Sequence, residues 1–422
     1  MTGRWDPEYL KRTEWTSGFF SGSLWYMYKL TGDTTWKNYA TAWTEDLEPA
    51  STITYDHDTG FRIFSSFGNA FKLVENRHYF RVIKNSAETL SRRFNPQIGA
   101  IKSWDWIGNY PVIIDNLMNL EILFWTAEKT GNRNLYDMAL SHAETSLKHH
   151  VRPDGSTYHI VDFDDIGNIN WKGTRQGYSS ESVWVRGQAW AIYGFTMIYR
   201  FTQEQRFLEA AIAASNFFID HLPEDYIPIY DFREPYGSVR SKDASAAAIA
   251  ASAFFELYTY TNNTRYYNTA VRILESLSSE EYSTLNDEKN SILKQSTLHR
   301  GHGKVGTSYA DYYYLEAIIR YLELTNTMFP ELTGQPILFL DQNYPNPFNS
   351  STIIHYSIEE PGNAEIAVYD LMGRKIITLI NEHHNIGNYN LTFDGSGLAS
   401  GSYIYLLRTA GNVITRKMVY VK

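Results

Sequence analysis

The sequence contains no cysteine among its 422 residues. This absence excludes disulfide bonds, thiol nucleophiles and metal sites built from thiolates. No apolar run reaches the roughly 18 residues that predict a membrane-spanning helix. Long basic segments are also missing, and the net charge is −9, so a nucleic-acid-binding surface is not indicated. We therefore expect no membrane span and no nucleic acid partner.

Several common site motifs are missing as well. The chain has no H-E-x-x-H motif, no EF-hand loop and no Rossmann glycine pattern after a strand, so we predict no metal and no cofactor. The opening residues, MTGRWDPEYLKRTEW, lack the basic and apolar segments of a signal peptide. This leaves two interpretations, an intracellular protein or an exported one whose signal lies upstream of Met1.

Aromatic residues are abundant and reach 15% of the chain, with 11 Trp and 32 Tyr. Rings of this kind stack against the C–H faces of sugars, but they also fill ordinary cores. Composition alone leaves both explanations open.

Residues 1–327 have a helical pattern that repeats. An apolar helix is followed by a short polar turn and then by an amphipathic helix. The turns lie at 30–40, 74–83, 129–139, 201–211 and 260–270, and a sixth apolar helix lies at 308–324. This pattern predicts an all-α (α/α)6 toroid of six helical hairpins, with the apolar helices inside. Residues 111–127 fit an inner helix and residues 206–222 an outer one.

The pattern changes near residue 330. A proline-rich stretch interrupts the helices, and residues 328–336 are interpreted as a linker. Residues 337–422 contain short segments of alternating hydrophobicity separated by turn residues. They predict a second domain, a small all-β Ig-like sandwich.

Two aspartates are candidates for catalysis. His57 and Asp58 come just before a predicted helix, where Asp58 could instead be a helix cap. Asp115 lies inside the apolar segment 111–127, and a carboxyl group is costly there unless it has a partner. Burial would raise the pKa of Asp115, as a general acid requires. A purely structural aspartate, hydrogen-bonded to a neighbouring hairpin, is the alternative.

Two further segments carry candidate binding residues. The long polar segment 153–190 ends in SVWVRGQAW, where a charge and an amide stand between tryptophans. Its candidates are His159, Gln176, Trp184, Arg186, Gln188 and Trp190. Thr307 and Ser308 precede the last apolar helix, where backbone N–H groups could bind an anion such as a carboxylate.

Together these segments resemble the unsaturated glucuronyl hydrolases of glycoside hydrolase family 88. The likeness spans residues 14–323 and rests on WTSGFFSGSLWYMY, HDTGF, IIDNLMNLEILFW, TYHIVDFD, TRQGYSSESVWVRGQAWAIYGF and DYYYLEAI. The resemblance implies an (α/α)6 barrel with Asp115 as the catalytic acid and base and Asp58 as the second essential carboxylate. The substrate-binding residues that it implies are His57, Trp104, His159, Gln176, Trp184, Arg186, Gln188, Trp190, Thr307 and Ser308.

The resemblance also implies a reaction. Substrates of the family carry a 4,5-unsaturated uronic acid at the non-reducing end, left there by polysaccharide lyases. Protonation of C4 and addition of water at C5 would release the next sugar; attack by the 2-hydroxyl group is an alternative. Fragments of ulvan are favoured over chondroitin, heparin-type or gellan fragments. Three other functions stay open: a family 105-like rhamnogalacturonyl hydrolase, an ordinary glycosidase and a non-catalytic glycan-binding protein.

The tail resembles a second family, the type IX secretion sorting domains. The likeness rests on LDQNYPNPFNSSTIIHYSI, VYDLMGRKI, GLASGSYIYLL and TRKMVYVK. It implies that type IX secretion machinery is a partner and that the protein is secreted or held at the cell surface. A signal peptide upstream of Met1 is then expected, and we expect the protein to be a monomer. A passive Ig-like module is the alternative.

Overall fold

The structure is a computed structural model, and it describes residues 11–235, 241–284, 290–325, 338–343 and 345–422. The chain divides into two compact units, Met1–Met328 and Phe329–Lys422. The predicted linker at 328–336 lies outside the described residues. Each unit is therefore considered by itself.

The first unit is a closed ring of helices. Its helices are α1 (Ser17–Thr31), α2 (Thr34–Asp46), a 3-10 helix (Glu48–Thr52), a π-helix (Gly60–Gly68), α3 (Asn69–Val74), α4 (Arg77–Ser91), α5 (Asn116–Asn119), α6 (Glu121–Thr130), α7 (Arg133–His150), α8 (Val185–Thr202), α9 (Gln205–Asp220), α10 (Ala244–Thr261), α11 (Thr264–Leu277) and α12 (Ser308–Leu324). Around the ring, α1 packs against the π-helix, α5 against α8, α8 against α10 and α10 against α12, which returns to α1. The predicted helical toroid is confirmed; five hairpins are complete within the described residues, and α12 supplies the inner helix of the sixth.

The five hairpin turns share one design, which explains why their sequences are similar. Each inner helix ends at a residue in the left-handed conformation; these are Gly32, Glu75, Gly131, Gln203 and Asn262. The next residue is the N-terminal cap of the outer helix, and in four turns its side chain accepts a hydrogen bond from the backbone N–H two residues on; these are Asp33, Asn76, Asn132 and Asn263. Such caps satisfy N–H groups that lack a partner inside the helix.

Inner and outer helices differ in burial as predicted. In the inner helix α10 nearly every residue up to Leu257 is buried, whereas α11 buries only one face. Within the described residues, no helix is both long and apolar enough to cross a membrane.

The predicted inner helix at 111–127 is wrong in its first part. Residues Tyr110–Ile113 form a strand, and helix begins only at Asn116. The β-branched residues Val112 and Ile113 favour extended backbone, and the strand pairs with a neighbour from segment 153–190. The strands of this unit are β1 (Phe94–Asn95), β2 (Ala100–Ile101), β3 (Tyr110–Ile113), β4 (Ile160–Phe163) and β5 (Ile169–Gly173), and the last three form one antiparallel sheet. The helical pattern predicted none of these strands.

The second unit is all-β, as predicted. Its strands are β6 (Phe339–Leu340), β7 (Ser351–Ile358), β8 (Gly362–Tyr369), β9 (Lys375–His384), β10 (Gly387–Asp394), β11 (Gly401–Arg408) and β12 (Val413–Tyr420). They form two sheets, in the orders β10-β7-β6 and β12-β11-β8-β9. Alternate side chains of both sheets fill one apolar core, with Ile354, Ile366 and Leu407 fully buried.

Candidate active site

The predicted site residues gather at one end of the ring because they precede inner helices. Asp58 comes just before the π-helix, Asp115 before α5, Trp184 before α8 and Thr307 before α12. The N-terminal ends of the inner helices therefore bring together side chains that lie far apart in sequence.

The π-helix fixes the segment that carries Asp58. Its nine residues are all buried, and π-helices of any length are rare and are frequently found at functional sites. The backbone N–H of Phe61 donates to Asn119 Oδ1 at 2.9 Å. A Cβ atom on Gly60 would lie 2.8 Å from the Asn119 Cα atom, so this close approach requires glycine. Asn119 lies on α5, which begins just after Asp115, so the two aspartate segments are held against each other.

The environment of Asp58 favours its protonated form. Burial raises the pKa of Asp58 well above its usual range, and the charges of Asp56 and Asp115 add to this effect. Asp56 is itself held by a buried ion pair with Arg62, and it accepts the backbone N–H of Asp58 at 3.0 Å. The sequence analysis missed Asp56 and Arg62; their only signal was a second aspartate two residues before Asp58.

The pKa of Asp115 is raised as well. It is 8% exposed, and burial raises its pKa to about 7. The charge of Arg186, the backbone and the indole N–H of Trp190 oppose a larger rise. Asp115 therefore changes its protonation near neutral pH, and burial favours the protonated form of Asp58 as well. Carboxyl groups whose pKa values are raised by burial are typical of acid–base sites.

His159 lies close to Asp115. Burial lowers the pKa of His159 well below its usual range, so the ring is neutral. Its Nδ1 atom accepts the backbone N–H of Arg175 at 3.3 Å, which places the ring proton on Nε2. Nε2 lies 3.7 Å from Asp115 Oδ2. The ring thus presents a neutral N–H donor to the carboxyl group.

Aromatic rings line the site around Asp115 and His159. The ring of Trp184 lies 4.5 Å from that of His159, and Trp104 stands 6.2 Å from His159 and 6.4 Å from His57. Trp190 differs from them because it is fully buried against Phe61. Only its indole N–H faces the carboxyl group of Asp115.

The guanidinium of Arg186 is buried and mostly occupied. Its terminal nitrogens donate to the backbone oxygens of Thr297 and Leu298 at 2.7 and 3.0 Å and to Gln176 Oε1 at 2.9 Å, and Asp243 lies 3.3 Å away. Gln176 therefore meets Arg186. Only the Nε atom of Arg186 is left without a hydrogen-bond partner within the described part of the chain.

The structure does not bring Gln188 into this cluster. Its amide group donates to the backbone oxygens of Gly155 and Ala214, and its oxygen accepts from Thr157. Two residues along an α-helix turn the side chain by about 200°. Gln188 consequently points away from the face that carries Arg186, and it fastens α8 to its surroundings.

Thr307 and Ser308 begin α12 beside Arg186. Thr307 is the N-terminal cap residue of the helix, and its buried Oγ1 atom has no hydrogen-bond partner among the described residues. Ser308 Oγ lies 3.5 Å from the backbone oxygen of Thr16, a weak contact. The next residue, Tyr309, has the Arg186 guanidinium 5.1 Å from its ring.

Buried polar atoms without partners are concentrated here. In folded proteins such atoms are few, and each requires an explanation. Those of the site, counted over the described residues, are His57 Nδ1 and Nε2, Asp115 Oδ2, His159 Nε2, Trp184 Nε1, Arg186 Nε, Trp190 Nε1 and Thr307 Oγ1. They comprise donors, acceptors and aromatic edges, which is the combination that a hydroxylated, acidic ligand can satisfy.

A cavity inside the ring, lined by charged residues of the inner helices, does not compete for this role. Its volume is about 420 Å³, and its lining includes Glu121, Arg200, Glu256 and Arg320. Glu256 is held by Arg200 at 2.6 Å and by Arg320 at 2.9 Å, and these charges lower its pKa to about 2. Permanently ionised, paired carboxylates stabilise a fold but cannot supply a proton at neutral pH.

Comparison with known proteins gives the same picture for both units. Residues 1–226 match Glycosyl Hydrolase Family 88, and residues 342–422 match the secretion system C-terminal sorting domain. An unsaturated glucuronyl hydrolase of Formosa agariphila is 44% identical over 73% of this chain and 80% of its own length. An unsaturated chondroitin disaccharide hydrolase of Streptococcus pyogenes is 32% identical over 74% and 82%. The crystal structure of an unsaturated glucuronyl hydrolase specific for heparin has a TM-score of 0.72 at 40% identity, covering 75% of this chain and 87% of that one.

Proposed function

Since this chain belongs to Glycosyl Hydrolase Family 88 and is a glycosidase with a C-terminal sorting domain, we propose that it removes 4,5-unsaturated uronic acids from the non-reducing ends of oligosaccharides. One observation carries the proposal. Two buried carboxyl groups, Asp58 and Asp115, lie among unpartnered donors and aromatic rings, close enough for the charge of Asp115 to act on Asp58, and burial raises the pKa of both.

The reaction asks one group to give a proton and later to accept one. An enol ether is protonated at C4, water adds at C5, and the resulting hemiketal opens and releases the second sugar. Asp115 suits both steps because its pKa of about 7 makes each protonation state accessible at neutral pH. The Nε2–H group of His159, 3.7 Å away, can stabilise the carboxylate once the proton has left.

Asp58 has a different role in this scheme. Burial raises its pKa well above the usual range and so favours the neutral carboxyl group, which both donates and accepts hydrogen bonds. Such a group is suited to ring hydroxyls. Trp184 and Trp104 supply faces for the sugar ring, and the start of α12 at Thr307 supplies N–H groups for the uronate.

One assay tests the proposal. The protein is incubated with unsaturated uronyl disaccharides while the ultraviolet absorbance of the C4=C5 double bond is followed. Loss of absorbance together with release of the second sugar supports the proposal. Binding with the absorbance intact would indicate a non-catalytic glycan-binding protein, and cleavage of only saturated glycosides would indicate an ordinary glycosidase.

We expect kcat/KM to fall as the pH rises above about 7. The pKa of Asp115 is raised to about 7, so its proton is present below that value and is lost above it. Each further pH unit then removes about nine-tenths of the remaining acid form. Initial rates at low substrate concentration between pH 5 and 9 check this. A rate that stays constant to pH 9, in protein that is still folded, would contradict the assignment of Asp115.

The polysaccharide that supplies the substrate is a finer proposal. Ulvan fragments are our first candidate, and rhamnogalacturonan fragments represent the family 105-like alternative. Parallel assays with unsaturated disaccharides from ulvan, heparin, chondroitin and rhamnogalacturonan rank them by kcat/KM. The highest value identifies the source, and a clear preference for rhamnogalacturonan would favour the alternative.

We propose that the tail directs export of the protein. The sorting domain at 342–422 supports delivery by type IX secretion machinery to the cell surface or beyond.

Catalysis should not need the tail. A shortened chain ending at Thr327 is expected to keep its turnover number, because the two units have separate apolar cores. The measurement is kcat on an unsaturated disaccharide for both chains. A shortened chain that is folded but inactive would refute this separation.

A further inference from the structure

A line of aromatic rings leads from the candidate site to the surface. His159 is 3% exposed, and its ring meets Trp104, which is half-buried. Trp104 stacks in turn on Trp106 at 4.9 Å and an interplanar angle of 26°. Trp106 is 57% exposed. Exposure thus increases outward along the series, and the last ring, Trp106, lies at the surface.

Arg175 covers this outer ring. Its guanidinium lies 4.2 Å from the centre of the Trp106 ring, within the range of a cation–π contact. The side chain is exposed, and no carboxylate lies within ion-pair distance of it in the described part of the chain. Its backbone N–H binds His159 Nδ1, so Arg175 is fixed relative to the neighbour of Asp115.

A second arginine over an aromatic ring differs from Arg175 because a carboxylate lies near its charge. Arg300 also stands over an aromatic ring, 4.5 Å from that of Tyr178, but Glu234 lies 3.9 Å from its guanidinium. The charge of Arg300 is therefore partly compensated within the protein. Arg175 has the same kind of aromatic support without a carboxylate close by.

We propose that Arg175, supported by Trp106, recognises an anionic substituent on the sugar that is released. This deepens the proposed function and rests on it, because it concerns the sugar next to the unsaturated uronic acid. A guanidinium binds sulfate or carboxylate through paired N–H groups, and stacking on an indole holds its plane in place. The substrate class is thus an unsaturated disaccharide whose second sugar carries a sulfate or carboxylate group.

The test compares substrate pairs that differ by one sulfate on the second sugar. One pair has a hexosamine there and the other a rhamnose, which distinguishes glycosaminoglycan from ulvan sources. In the native protein, kcat/KM should be higher for the sulfated member of at least one pair. Arg175→Gln should lower that value about tenfold, as expected for one charge-assisted contact near the surface, and leave the unsulfated member within about twofold. Trp106→Leu should reduce the same preference in part.

A matched control is available on α7. Arg133 is exposed and stands 4.5 Å over Tyr136, and Asp137 lies 2.8 Å from it, so Arg133→Gln removes a stacked but paired charge on a different helix. It should not alter the preference. Raising the salt concentration should weaken the preference of the native protein, because an exposed contact is screened. Equal loss on both members of a pair, or no loss, overturns the role of Arg175. Failure of the native protein on every unsaturated disaccharide instead overturns the proposed function.

Discussion

Replacing Asp115 by Asn is expected to lower the turnover number by at least about 10³-fold, within the range that general acid catalysis contributes. Asparagine keeps the size of the side chain and much of its hydrogen bonding, but it has no proton to transfer. The same group is asked to act first as an acid and then as a base. Substrate binding should be largely kept, because the aromatic rings and the start of α12 are unchanged.

The stability of the folded protein, unlike its turnover number, should not be lowered by Asp115→Asn. The pKa of Asp115 is raised in the folded protein, so the folded state loses stability as the pH rises from the usual carboxyl range towards 7. Asparagine carries no charge, and the melting temperature at pH 8 should be unchanged or higher. An unfolded variant would favour a structural role for Asp115. Turnover within about tenfold of native would make Asp58 the next candidate for the acid.

Asp311 supplies the matched control for this experiment. Burial raises its pKa to about 7 as well, but its two carboxylate oxygens accept the backbone N–H groups of Ile292 and Leu293 at 3.1 and 2.9 Å. Asp311→Asn is expected to lower the melting temperature and to leave turnover within about tenfold of native. A raised pKa alone therefore does not mark a catalytic group.

The fold was predictable where local chemistry and the global pattern agree. The polar turns between apolar and amphipathic helices predicted the hairpins because Asp and Asn caps recur in them. Alternation of apolar and polar residues predicted the strands β7 to β12. The strand β3 was missed because its residues continue without a break into the apolar segment of α5 and α6, and its partner β4 lies some fifty residues away. Pairing over such a distance leaves no local trace.

The candidate site was predictable in its residues more than in their roles. Asp115 was conspicuous because a carboxyl group in an apolar segment is costly without a purpose. Gln188 shares a short motif with Arg186, but only the helical geometry shows that it points elsewhere. Asp56, which raises the pKa of Asp58, and Asp243, which faces Arg186, act through space and carry no motif.

Replacing Arg186 by Met should strongly destabilise the first unit. Arg186 and Asp243 are 1% and 0% exposed, and removal of Arg186 leaves a buried carboxylate without its cation. Breaking a buried ion pair in this way typically costs about 3–5 kcal/mol in the free energy of unfolding. All 11 tryptophans lie in the first unit, so tryptophan fluorescence in urea follows that unit alone.

A double variant distinguishes the effect of the ion pair from the effects of other contacts of Arg186. Arg186→Met combined with Asp243→Asn removes both charges and should recover part of the lost stability, because no unpaired charge is left buried. Both variants also lack the positive charge that lowers the pKa of Asp115. Their remaining activity should therefore fall only at a higher pH than in the native protein, since Asp115 then keeps its proton longer. Two results together would contradict this account: Arg186→Met unfolds at the same urea concentration as the native protein, and its kcat/KM falls at the same alkaline pH. Arg186 would then neither stabilise the fold nor lower the pKa of Asp115. In that case a direct contact with the sugar, as the family resemblance implies, would be its remaining role.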